Sequence, residues 1–201
     1  MSWTMPALLG AYHGLNPAMG WLFAVALGLQ ERRSIAVLRA LPPIALGHAA
    51  SVSVVVVLFA GAALVVPART LQLGSAAVLF AFAAYLLVRR ARHPRGLGMR
   101  VGFRELVLWS FLMSSAHGAG LMLFPVLTHG SAPMPGHTGH TIYATGIGVL
   151  GIHTAAMFAA MSVAAIVVFS FVGVNFLRRV WINLDAVWVA ALVVAGVVTL
   201  V

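Results

Sequence analysis

The chain has 201 residues, 62% of them hydrophobic and 7% charged, with mean hydropathy +1.05, where soluble domains carry about a quarter charged residues. That composition excludes a soluble globule and makes the chain an integral membrane protein. Lack of cysteine excludes disulfides, thiolate metal ligands and dithiol redox chemistry, and the net charge of +9 comes from twelve arginines at the ends of apolar runs, where topology explains it better than nucleic acid does.

Apolar runs of about 20 residues, each enough to cross a hydrocarbon core of about 30 Å, fall at 7–29, 40–66, 70–88, 103–127, 141–171 and 181–201. All six must be helices, because an open sheet would leave unpaired backbone groups in lipid. The predicted fold class is therefore an all-α integral membrane protein with six transmembrane helices. The sequence ahead of the first run has no basic region and no cleavage site, so no removable signal peptide is expected.

The first run carries Ala11-Tyr-His-Gly-Leu-Asn-Pro17, which puts a titratable ring, His13, inside an apolar segment. Pro17 lacks a helical hydrogen-bond donor and is predicted to bend this helix. Arg32, Arg33 and Arg39 follow. Residues 31–41 read as a short interfacial amphipathic helix ending at Pro42-Pro43, or equally as a polar continuation of the second span. That span holds His48 in Leu46-Gly-His-Ala-Ala50.

After the third run comes a basic loop with Arg89, Arg90, Arg92, Arg95 and Arg100, joined by Arg104 at the start of the fourth run and suited to anionic lipid head groups. The fourth run contains Ser115-Ala-His-Gly-Ala-Gly120, with Pro125 expected to bend it beyond His117. The next loop, 128–141, has His129, Met134, His137 and His140, a mixture able to collect copper, nickel or zinc at the outer face. It reads slightly better as an inert polar turn rich in Gly and Pro. The fifth run carries His153 in Gly151-Ile-His-Thr-Ala-Ala156, and Arg178 and Arg179 precede the sixth.

Arginine placement fixes the loops after the first, third and fifth spans in the cytoplasm, with both termini outside. Only Arg69 falls on the other side. From His13 to His48 is 35 positions and from His117 to His153 is 36, in phrases that repeat with opposite direction. The chain thus reads as a 3+3 inverted repeat in one membrane domain: residues 1–88, a cytoplasmic basic loop 89–102, and residues 103–201. Sites in such proteins lie where the repeats meet. At about 1.5 Å per residue, His13 lies roughly 9 Å below the outer boundary and His117 about 20 Å above the inner one, nearly one depth.

Four imidazoles in one layer point to metal or cofactor ligation by His13, His48, His117 and His153. Gly10, Gly14, Gly47, Gly118, Gly120 and Gly151 are expected to let the helices approach closely. Helical spacing puts Asn16 on the His13 face, Ser51 on the His48 face, Met113 and Ser114 on the His117 face, and Met157 on the His153 face. Asn16 and Ser114 are the candidates for orienting rings or polarising bound oxygen. The plain alternative is that each histidine bonds a neighbouring carbonyl or hydroxyl.

This arrangement resembles the LysE-type membrane superfamily, which includes amino-acid exporters, nickel/cobalt permeases and CcdA-like thiol transporters built from three-helix inverted repeats. The resemblance covers all six spans and implies transport. The chain lacks the paired cysteines, the acidic-histidine permease motif and the exporters' proline-rich motif of those families. The site's chemistry points elsewhere. A divalent cation on neutral imidazoles keeps its charge in an apolar slab with no carboxylate nearby, which opposes passage, whereas a resident centre can take a compensating anion.

All-nitrogen ligation suits copper first and iron next. The expectation is a membrane-embedded metal-dependent oxidoreductase acting on a small or lipophilic substrate, in the inner membrane of a bacterium. The alternative is a copper or nickel transporter using the same histidines, and the third reading is a bis-histidine haem b electron-transfer protein. Expected partners are the lipid bilayer and a small-molecule or metal-ion substrate, without nucleic acid. A homo-oligomer and an unidentified electron donor complete the expected partners.

Overall fold

The computed structural model describes residues 3–88, 102–130, 139–172 and 184–200. Among the described residues every regular element is helical: α1 (Thr4–Leu15), α2 (Trp21–Glu31), α3 (Ser34–Ala63), α4 (Ala68–Val88), α5 (Phe103–His117), α6 (Phe124–Gly130), α7 (Gly139–Val167, continued by a π turn at Val168–Val172) and α8 (Leu184–Leu200). Three stretches are long and apolar enough to cross a membrane: α3, α4 and Ile142–Phe171. A fourth is added if α5 and Leu121–Thr128, bent by 57°, count as one span. Most of the basic loop lies outside the described residues.

The expected runs 40–66, 70–88 and 141–171 are thus matched by long helices. The runs 7–29 and 103–127 are each broken into two. In the first, Asn16 turns extended (φ −69°, ψ 119°), as a residue before proline prefers, and Pro17–Met19 make a 3-10 turn. Gly20 then takes φ +115°, open to glycine alone without strain, and starts α2.

The second break differs from expectation. It falls at Gly118, not at Pro125. Gly118 takes φ +68°, and the Gly118 and Ala119 amides donate to the Ser115 (3.1 Å) and Ser114 (3.0 Å) carbonyls, the Schellman closure of a helix C-terminus. Pro125 sits in the first turn of α6, where its missing amide hydrogen removes no helical bond.

The Pro42-Pro43 expectation also needs correction on one of its two readings. No separate amphipathic helix ends there; α3 starts at Ser34 and runs through both prolines. Pro43 is buried among α3's core-facing residues, and packing of α3 against α2 and α5 outweighs the local proline penalty of about 3 kcal/mol.

Packing is pairwise: α1 lies on α7, α3 on α5, α4 on α8, and α3 also meets α7. Glycine makes the first two contacts close. A Cβ on Gly10 would collide with the His153 carbonyl and come 3.1 Å from Ala156 Cβ; on Gly14 it would collide with the Met157 carbonyl. A Cβ on Gly47 would meet the Val107 carbonyl and stand 2.8 Å from Ser110 Cβ. Gly120 is similarly covered by Val55, but Gly151 has open space and is exposed, so the close approach expected of it is absent.

Candidate functional site

The α1–α7 and α3–α5 contacts bring three of the four histidines together. His13 stands near the end of α1, His48 in mid α3 and His153 in mid α7, and each is fully buried at 0% exposure. Their ring centroids form a triangle: 4.9 Å between His13 and His153, 5.4 Å between His13 and His48, and 5.6 Å between His48 and His153. Their convergence follows from the small residues that let α1 and α7 touch backbone to backbone.

Hydrogen bonds fix much of their chemistry. His13 Nδ1–H donates to the Leu9 carbonyl at 2.9 Å, so its Nε2 bears the lone pair, and that atom is buried without a partner. His48 Nδ1 lies 3.0 Å from Ser114 Oγ. His48 Nε2 lies 3.3 Å from His153 Nε2, with the two rings within 17° of parallel. The centroids are farther apart than the nitrogens by about two ring radii, so the rings meet head-on, sharing one hydrogen.

Thr154 Oγ1 is buried without a hydrogen-bond partner, and His153 Nδ1 has only the Pro6 carbonyl of α1 near it. Buried polar atoms left unpaired cost about 1–3 kcal/mol each.

His117 is the last residue of α5, half-buried at the Gly118 break. Its Nδ1–H donates to the Met113 carbonyl at 2.8 Å, again leaving Nε2 as acceptor. It connects to the others through Trp188 of α8, which touches His117 (5.9 Å) and His13 (4.9 Å) edge-to-face and stacks on Tyr12 (6.0 Å).

The neighbours expected from helical spacing sort differently. Ser114 faces His48 across α3–α5 rather than His117 on its own helix. Ser51 Oγ bonds Ser115 Oγ at 2.9 Å. Asn16 is buried at 9% exposure as the α1 cap. Met157, at 0%, packs in the apolar cluster with Trp21, Val25 and Ile44. Of the outer set, Met134 and His137 lie outside the described residues, as do the side chains of His129 and His140.

Trp188 and Tyr12 were not singled out from the sequence. The available signal was position: tryptophan favours membrane interfaces, and Trp188 falls inside the last apolar run. Trp188 Nε1–H donates to the His117 carbonyl, one of the helix-end carbonyls that α5 cannot satisfy itself. Trp188→Phe keeps the ring contacts and deletes the donor. It is expected to destabilise the protein by about 1–3 kcal/mol, read as a fall in Tm in detergent.

Among the described residues, no set of three or more His, Cys, Asp or Glu stands in an arrangement that could hold a metal ion as it is. The shortfall is one of direction, since His48 and His153 point at each other. Comparisons with family models, curated proteins and solved structures found no match.

Proposed function

We propose that this chain is a membrane-embedded metal-dependent oxidoreductase whose copper or iron is held by His13, His48 and His153. The observation that carries the reading is three fully buried imidazoles in mutual contact, one with its Nε2 lone pair unpaired. The donor set fits: all-nitrogen ligation suits copper and iron, and Nδ1 bonded to a carbonyl, as in His13, is the usual outer support of a ligating Nε2.

His48 and His153 would have to turn their Nε2 atoms from each other toward a shared metal, beside His13 Nε2. The hydrogen shared between the two Nε2 atoms must also leave. It can be carried at His48 Nδ1, with Ser114 Oγ switching from donor to acceptor, so Ser114 orients a ligand rather than touching substrate. His117 stands outside the triangle, joined to His13 through Trp188, and Asn16 caps the end of α1. Bound copper or iron would supply one-electron redox chemistry; the helices exclude water and hold the rings. The 3.3 Å gap leaves no room for a haem plane between His48 and His153.

The reading includes the six spans as a 3+3 inverted repeat with both termini outside. What supports it is the exchange of partners: the broken helix carrying His13 packs on α7, and the broken helix carrying His117 packs on α3. A transporter for copper or nickel is the second reading. The specific observation favouring it is the pair of discontinuous helices at matched positions, a feature of transporter sites.

Elemental analysis and an optical spectrum of detergent-purified protein decide among these. A resident centre gives about one copper or iron per chain after washing and no Soret band; metal lost on washing supports transport instead. Ser114→Ala is expected to weaken metal affinity about 10–100-fold, seen in competition with a chelator. Unchanged affinity would remove Ser114 from the mechanism.

A further inference from the structure

The three rings of the triangle differ in what faces their far nitrogens. His13 Nδ1–H is spent on the Leu9 carbonyl. Near His153 Nδ1 stands the Pro6 carbonyl, which can only accept a hydrogen. Beyond His48 Nδ1, at 3.0 Å, stands the Ser114 hydroxyl, which can donate or accept. His48 is thus the one ring whose far side suits either neutral tautomer.

That asymmetry decides which ring owns the hydrogen between His48 Nε2 and His153 Nε2, 3.3 Å apart. On His153 it would leave the Nδ1 lone pair of a neutral ring facing the Pro6 oxygen, two buried acceptors with no hydrogen between them. On His48 it lets His153 carry its own hydrogen on Nδ1 toward Pro6, while Ser114 donates to His48 Nδ1. Every contact then runs from donor to acceptor: Ser114 to His48 to His153 to Pro6, through α5, α3, α7 and α1. The same line ties the α3–α5 pair to the α1–α7 pair.

We propose that His48 is a two-state ring: its hydrogen on Nε2 latches the metal-free site, its hydrogen on Nδ1 opens the site to metal, and Ser114 is the positioning residue that accepts in the second state. The switch rests on the metal reading above, whereas the direction of the latch does not. One proton leaves Nε2 and one is taken up at Nδ1, with water as carrier, so the ring stays neutral. His13 and His153 already hold lone pairs on Nε2, which leaves His48 as the only ring that must change. Without the Ser114 hydroxyl the latched state keeps its bond to His153, but the open state loses its acceptor.

The test is solid-state NMR on the full chain in lipid bilayers with isotopically labelled histidine nitrogens, first without metal. A coupling across the hydrogen bond between His48 Nε2 and His153 Nε2 is expected, with hydrogen on His48 Nε2 and His153 Nδ1. Hydrogen on His153 Nε2, or no coupling, would overturn the latch. Cu(I), which is diamagnetic, is then added with a reductant; the coupling is expected to vanish and the His48 hydrogen to move to Nδ1. Ser114→Ala keeps the metal-free pattern and needs about 10–100-fold more Cu(I) for the change. Ser110→Ala, which removes a hydroxyl bonded to the Ile44 carbonyl at the same α3–α5 contact, switches at the wild-type concentration. Equal concentrations for wild type and Ser114→Ala, or a His48 hydrogen that stays on Nε2 with Cu(I) bound, would overturn the switch. Failure to bind Cu(I), measured separately as metal per chain, would end the proposed centre and the switch with it, and leave the direction of the latch standing.

Discussion

His153→Ala is expected to leave a folded protein that no longer retains metal. The Gly10 contact that seats α1 on α7 is made to the His153 carbonyl, so the backbone interface survives loss of the ring. The ring itself is one of three mutually touching donors, and its removal strips His48 Nε2 of its partner. Losing a group that merely orients a ligand costs 10–100-fold in affinity, so losing a ligand is expected to cost more than about 100-fold. A cavity and an orphaned His48 nitrogen should also lower stability by about 2–4 kcal/mol.

His117→Ala is the informative contrast, because Trp188 joins that ring to the triangle without placing it inside. It is expected to lose far less metal than His153→Ala. Metal per chain across wild type and both variants reads the difference. Stoichiometric metal surviving His153→Ala would end the proposed centre.

The sequence showed the histidines more clearly than their supports. Regular spacing, 35 and 36 positions, identified the four rings, because polar side chains stand out in apolar runs. Distance along one helix then misassigned Ser114, which reaches across to His48; partners between helices depend on packing that periodicity does not encode. Both helix breaks were legible as regions. The second was placed at Pro125 because proline is the louder signal, whereas position decides: proline in a first turn is harmless, and a left-handed glycine ends a helix. For α3 the two readings were level, and packing decided for the continuous helix through both prolines. Trp188 was missed because its role comes from a carbonyl exposed by the Gly118 break, which no pattern in α8 announces.

Gly10→Ala tests the packing on which the site depends. In lipid, no hydrophobic force separates helix contacts from lipid contacts, so close backbone approach carries association. One added methyl at Gly10 collides with backbone on α7, which cannot rotate away as a side chain would. The helices must separate, at a cost of about 1–3 kcal/mol or more. Gly151→Ala and Gly61→Ala, whose new Cβ atoms meet nothing within 4 Å, are expected to leave Tm within a degree or two of wild type, since surface changes stay within about 0.5 kcal/mol. Because α1 carries His13, separation also draws its Nε2 away from His48 and His153. Gly10→Ala should therefore lose metal and thermal stability together, although no ligand has been touched. Equal Tm values for Gly10→Ala and Gly151→Ala would show that α1 does not lie on α7 as described, and the histidine triangle would lose its frame.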